Sequence, residues 1–599
     1  MHRAVHLAFA AAVLASAVSA FAQEQASVPR TITIDELSPG MRGYGLTVVK
    51  GSSAERFDIE IIDVLRGIAP GRNGVIVRAS GLGLEQSGII AGMSGSPIYV
   101  NDRLVGALSF GWAWPKEPIG GVTPIGEMEQ ALEAPLPQPA PASSWESLDI
   151  FRIIDPSRPL GPFLRAGEER GATPAGLQPL ALPLVMPFLS PQARRVAETF
   201  FPSGRFVLAE GAAAGQPPDN AAPAALQPGS SVFAALVTGD MTMGATGTIT
   251  DVRGSSVYGL GHPFLNYDGV AIPMYTSRVA GIFPSSFRSF KLAYPLQEIG
   301  AITRDRATGI MGVMGQKSRT VPMTVTVDNA GAVRTFNYRV FDHYSMTPQL
   351  AAVVAAASVT ALGDLPAETT LSYGLAVSYA GGRAIDFKWQ TGGKDAVVSM
   401  AKDVQALFEI TMLNPLEKLD PQSIDVTARV NPGNRSALIE AVAVRQNEVR
   451  PGDMLEVSVR LKPALSAPVT LTIGLPIPKN TLPGQKSLVV CDGRTSDVLD
   501  VQENPHLLTP TDVDQLFRVI TPRRSAGEVV VRLADVDQGV AIGSDEYPNL
   551  PSSALAILAA PQTSALSPLY KSVSASAATP YLVVGKSIIP VRIVNRTER

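Results

Sequence analysis

The sequence predicts a mainly β protein, with an α+β portion inside it and a β-sandwich-like domain at its C-terminal end. Three observations carry this. Strict alternation marks half-buried strands: Phe57, Ile59 and Ile61 against Asp58 and Glu60, then Leu455, Val457, Val459 and Leu461 against Glu456, Ser458, Arg460 and Lys462. Gly and Pro are frequent, 53 and 49 of 599 residues, so turns are many. Segments with a helical period are few.

The chain opens with a segment that reads as a signal peptide over residues 1–22. His2 and Arg3 form a short n-region, an Ala/Val/Leu-rich run follows, and Ala20-Phe21-Ala22 fits the small-x-small rule for cleavage before Gln23. The protein is thus expected to be exported, to the periplasm or beyond. The alternative is a membrane anchor left uncleaved, since the run nears spanning length. Cys491 is the only cysteine, so an exported chain has no internal disulfide, and metal sites built on Cys clusters are excluded. Lys+Arg (50) and Asp+Glu (53) nearly balance, so nothing points to a nucleic-acid partner, and no cofactor is called for.

Residues 29–134 read as a first β domain, with turns at Pro39-Gly40, Pro70-Gly71 and Gly81 to Gly83 and a hairpin turn at Asn101-Asp102. Residues 135–228 read as a linker, Pro-rich over 135–144, with a small mixed segment in which Ser190-Pro191 starts a helix. A second β domain follows over 229–340, with a hairpin turning at Arg253-Gly254. Residues 341–434 carry two Ala/Val-rich helical patterns, Pro348 to Leu362 and Lys402 to Met412, and read as α+β. Residues 435–599 return to alternating strands and read as a β-sandwich-like domain, available to bind another protein.

The most informative stretch is Gly92-Met93-Ser94-Gly95-Ser96-Pro97. Small residues around a serine allow a sharp turn that exposes the hydroxyl. The same turn can aim the N–H groups of Gly92 and Ser94 at one point, as an oxyanion hole. A tight turn between strands would use the same residue types. A serine nucleophile needs a base. After the signal segment only His262, His343 and His506 remain. His262, in Tyr258-Gly259-Leu260-Gly261-His262-Pro263, stands at a strand end among glycines and suits that role best.

Two further motifs join these residues to a known family. Gly92 to Ile98, Gly247-Thr248-Ile249-Thr250 with Tyr258 to His262, and Gly300 to Thr303 with Gly309-Ile310-Met311-Gly312 together resemble the SpoIVB-type serine peptidases. The run from Ser94 through Leu104-Val105-Gly106 to Ser109-Phe110-Gly111 is similar to the serine-bearing half of trypsin-like peptidases. The resemblance implies a trypsin-like double β-barrel peptidase, with Ser94 as nucleophile and His262 as base. It also implies that the edge Ser109, Phe110, Gly111 pairs with an extended substrate backbone. Protein substrates are expected, this chain's own 135–144 linker among them.

The chain departs from the family in three ways. The serine half comes before the histidine half. No PDZ module is visible. Where the family carries an Asp upstream of its serine, this chain has Ala79-Ser80, which leaves Asp305, Asp268 and Asp251 as candidates for the third catalytic member. A catalytically silent peptidase-fold scaffold of the cell envelope is the alternative reading. A Ser94–His262 separation of about 3 Å would favour the enzyme, and one beyond about 8 Å the scaffold.

Overall fold

The computed structural model describes residues 30–112, 115–136, 176–201, 205–210 and 226–594, the last span with short breaks between 287 and 565. The expected signal segment and residues 137–144 of the Pro-rich linker lie outside the described residues.

The first barrel is built by β1 (Arg42–Thr47), β2 (Glu55–Ala69), β3 (Arg72–Ser80), β4 (Pro97–Val100), β5 (Arg103–Trp112) and β6 (Ile119–Pro124). The strands run in the order β4-β1-β2-β3-β6-β5, and a β4–β5 pairing closes the ring. The alternation of β2 explains its place: Phe57, Ile59 and Ile61 are buried with Val75, Val77, Met93 and Ile98, while Asp58 faces water. Asn101 and Asp102 both have positive φ, 51° and 57°, which is the geometry a two-residue hairpin between β4 and β5 requires.

The connection to the second barrel is made by β7 (Leu177–Pro179), β8 (Leu182–Met186), a helix over Pro191–Phe200, and β9 (Phe206–Glu210). Ser190 caps that helix, its Oγ accepting from Ala193 N at 3.2 Å. The sequence suggests mostly linker here; the strands form because Leu182, Leu184 and Met186 join the main hydrophobic core.

The second barrel comprises β10 (Ser231–Gly239), β11 (Met243–Arg253), β12 (Ser256–Gly259), β13 (Ile272–Phe283), β14 (Phe290–Arg306) and β15 (Gly309–Met314). Pairings run β10-β13-β14-β15-β12-β11, and β10–β11 closes the ring. The fold is therefore the expected mainly β, double-barrel architecture. Its sheet continues through strands Thr320–Asn329, Ala332–Phe341, Thr369–Tyr379, Ala384–Gly392 and Pro421–Pro432. Helices Thr347–Val359 and Ala396–Leu413 pack against this extension, and the first is apolar nearly all round because it is buried on nearly all sides.

The C-terminal part is a sandwich of a four-stranded and a six-stranded sheet around Leu455, Val457, Val459, Ile473, Leu488, Val490 and Val531. Helices Gly493–Glu503 and Val513–Ile520, which the strand pattern does not reveal, are inserted in it. Cys491 is buried there. Among the described residues, no helix is long and apolar enough to cross a membrane.

Candidate active site

The serine turn lies between β3 and β4 and is pressed against the middle of β11. Three bonds from the Gly-Thr-Ile-Thr motif hold it. Thr248 N donates to Ser94 O at 2.8 Å, Thr248 Oγ1 to Gly92 O at 2.9 Å, and Thr250 Oγ1 to Gly95 O at 2.9 Å. The approach is too close for a side chain at Gly95, where a Cβ would sit 1.9 Å from the Thr248 carbonyl oxygen and φ is +91°. On its other side the turn is held by β5, through Gly95 N to Leu108 O at 2.8 Å and Leu108 N to Ser96 O at 3.0 Å.

His262 follows β12 after two residues in the left-handed region, Leu260 at φ +63° and Gly261 at φ +70°. Such a conformation costs a leucine about 1–3 kcal/mol, which the surrounding packing must offset. Leu260 is buried in the main core, and Thr123 Oγ1 donates to the Gly261 carbonyl at 2.7 Å. A Cβ on Gly261 would lie 2.1 Å from Ser109 Oγ, so the first barrel comes hard against the histidine loop.

These contacts bring the two predicted residues together. His262 Nε2 stands 2.7 Å from Ser94 Oγ, each from a different barrel and 168 positions apart in the chain. His262 Nδ1 lies 2.9 Å from the Pro263 carbonyl oxygen. A carbonyl only accepts, so the proton belongs on Nδ1 and Nε2 is left as acceptor for the serine hydroxyl. Burial pushes the imidazole down to about 4; the Pro263 carbonyl opposes this, and the nearby Arg205 and Arg72 guanidinium groups add to it. Among the described residues, the N–H groups of Gly92 and Ser94 have no hydrogen-bond partner, although both residues are buried.

The three carboxylates expected as candidates behind the ring are placed otherwise. Asp251 pairs with Arg30 and Arg253 and accepts Val252 N at 2.9 Å. Asp268 accepts Arg306 Nε at 2.7 Å. Asp305 is buried and accepts the N–H groups of Phe264, Leu265 and Asn266 at 2.7, 2.5 and 2.8 Å. None of the three bonds to the His262 ring. Asp305 instead gathers the loop that follows it and thereby fixes the carbonyl on Nδ1. Burial raises the Asp305 carboxyl to about 6, against the lowering effect of its N–H donors.

The edge at Ser109, Phe110 and Gly111 is a second departure. An open edge is expected from the sequence, but here β7 pairs with it antiparallel, Phe110 opposite Pro179, Gly111 opposite Gln178 and Trp112 opposite Leu177. The other two histidines lie elsewhere: His343 among Tyr267, Phe341 and Tyr344, and His506 on Glu546.

One residue of the site escapes sequence reasoning. Lys291, on β14, is fully buried beneath the serine turn, its Nζ 2.6 Å from Thr47 Oγ1 and 3.5 Å from Thr248 Oγ1. Burial lowers the amine to about 7. A signal exists in the strand parity, since Lys291 shares its face with the buried Ala293, but a lone lysine in a strand ordinarily reads as solvated. Among the described residues no cluster of His, Cys, Asp and Glu suits a metal ion.

Comparison with known proteins adds one result. No curated protein and no solved structure matches the chain. A family model, SpoIVB peptidase S55, matches residues 18–113. That span takes in β1 to β5 and the serine turn and ends before His262. Over its serine-bearing barrel, then, the protein is similar to the SpoIVB peptidase S55 family.

Proposed function

We propose that the protein is an exported serine endopeptidase in which Ser94 is the nucleophile and His262 the general base. The observation that carries this reading is the 2.7 Å contact between His262 Nε2 and Ser94 Oγ across two barrels. A family match over the serine barrel supports it. Ser94 Oγ attacks the scissile carbonyl carbon while its proton passes to His262 Nε2. The carbonyl oxygen becomes an oxyanion, held by the N–H groups of Gly92 and Ser94. The imidazolium then gives its proton to the leaving amine, the C–N bond breaks, and an acyl-enzyme remains. Water gives a proton to His262 Nε2 as its oxygen attacks the ester carbon; the C–O bond to Ser94 then breaks, Oγ takes the proton back from the imidazolium, and the acid leaves.

In place of a triad carboxylate, the Pro263 carbonyl orients the ring, with Asp305 as a positioning residue behind it. That substitution favours the silent-scaffold reading, because a carbonyl stabilises an imidazolium less than a carboxylate does. Labelling with a fluorophosphonate probe tests the choice. Wild type should react, Ser94→Ala should not, and His262→Ala should lose at least about a hundredfold in rate. Equal labelling of Ser94→Ala removes the assignment. Export rests on residues 1–22 and predicts a mature N-terminus at Gln23.

A further inference from the structure

Resting on the peptidase reading, one more feature of the site bears on its regulation. The Ser94–His262 pair is closed: Ser94 is 0% exposed and His262 2%. Beside it runs this chain's own connection between the barrels. Leu177–Pro179 pairs antiparallel with Phe110–Trp112, and Leu180 N donates to Ser109 O at 2.8 Å. Three residues on, the Pro183 ring would lie 3.1 Å from a Cβ on Gly92, one of the two residues with a free N–H. The backbone from Leu180 to Pro183 therefore runs from the strand edge, past the serine turn, to the candidate oxyanion donors.

An extended peptide added to the 109–111 edge by β-pairing would take the same path. The side chains agree. Among the described residues, and apart from the neighbours of Gly111 in the chain, the one atom within 4 Å of a Cβ built on Gly111 is Leu180 Cδ2, at 3.1 Å, so the occupant uses the space left by that glycine. Leu180 and Ala181 also stand at a cavity of about 360 Å³ lined by Gln86, Ile89 and Ala91 ahead of the serine and by Trp112 and Pro118 after it.

We propose that residues 177–181 are a built-in occupant of the substrate strand, holding the site shut until an extended peptide displaces them. The occupant also reports the substrate class: an extended peptide with an aliphatic residue at the Leu180 position, preceded by proline.

Fluorophosphonate labelling of the full chain tests this with two variants. Leu180→Gly removes the side chain over Gly111 and should label at least about tenfold faster than wild type, since less of the protein is held closed. The peptide aldehyde Leu-Gln-Pro-Leu should protect that variant, and Leu-Gln-Pro-Asp aldehyde should not. The double variant Gly111→Cys with Gln178→Cys joins directly opposed residues. Oxidised, it should label at least about tenfold more slowly than after reduction, which keeps the test open if Leu180→Gly does not fold. Equal rates for wild type and Leu180→Gly, or for the two redox states, overturn the occupant and leave Ser94 as nucleophile intact. Absence of labelling in every form overturns the peptidase reading, and the occupant with it.

Discussion

His262 Nδ1 meets the carbonyl oxygen of Pro263, its own next residue, at 2.9 Å. The loop beyond is tied to Asp305 by three N–H bonds. A carboxylate thus acts on the imidazole at one remove, through the backbone it holds. Orientation and tautomer are supplied this way, but among the described residues no carboxylate bonds to the ring.

The pH dependence follows from that arrangement. The base must be neutral to accept the serine proton, and His262 is held down to about 4. Labelling of Ser94 should therefore stay near its plateau well below the ordinary histidine range and fall by half only near pH 4. Stability carries the same sign. Between about 4 and the ordinary histidine value of 6.5 the unfolded chain binds the extra proton, so His262 makes stability fall as pH drops through that window. Asp305 acts oppositely. Its carboxyl is raised from 3.8 to about 6, so the folded state binds the extra proton there and stability falls as pH rises across that range. Labelling rates and thermal melts between pH 3.5 and 8 check both; a labelling midpoint near pH 6.5 would contradict the buried, carbonyl-bound ring.

Asp305→Asn separates positioning from charge. An amide keeps one acceptor oxygen but turns an NH2 toward a backbone N–H, so at least one buried donor is left unpaired. The expected cost is about 1–3 kcal/mol of stability, read from denaturant melts. Labelling should slow while its acid midpoint stays that of His262. A midpoint that moves with the variant would mean that Asp305 titrates in the reaction itself.

Much of this site is legible in the sequence, for reasons that differ residue by residue. Ser94 and His262 can be found because their turns need glycines at fixed offsets, and those glycines mark the backbone conformation. Strand β2 follows from alternation, in Phe57, Ile59 and Ile61, whereas β10 and β11 are buried on both faces and show none. The group on Nδ1 cannot be found by residue type, because it is a main-chain carbonyl. The occupant of the 109–112 edge is equally hidden: Leu177-Gln178-Pro179 is too short for a period, and its partner lies some 70 residues earlier, a separation no local pattern encodes. Helices Gly493–Glu503 and Val513–Ile520, which follow one another between two strands of the sandwich, escape because each is only two or three turns long.

Gly95→Ala tests how tightly the two barrels are joined at the serine. The new Cβ would meet the Thr248 carbonyl oxygen at 1.9 Å, and the backbone sits at φ +91°. The conformational cost alone is about 1–3 kcal/mol, and relieving the clash must also lengthen the Thr248-to-Ser94 bond. The variant should melt lower and lose Ser94 labelling more than its stability loss explains. Unchanged labelling in a folded Gly95→Ala protein would show that the turn tolerates a shift of this size.

Lys291→Met addresses the buried amine under the turn. Its value of about 7 against the ordinary lysine value of 10.5 means that the unfolded chain binds the extra proton between those limits. Wild-type stability should therefore rise with pH from about 7 toward 10.5, and burial of this amine should cost most below 7. Methionine is unbranched and similar in length, and it carries no charge to desolvate. It leaves Thr47 Oγ1 without the amine it now meets at 2.6 Å, a smaller loss than a buried cation. The gain of Lys291→Met over wild type should be greatest at and below pH 7 and shrink as pH climbs toward 10. Melts of the two proteins across that range decide it; a difference independent of pH would mean that the amine titrates alike in the folded and unfolded chains.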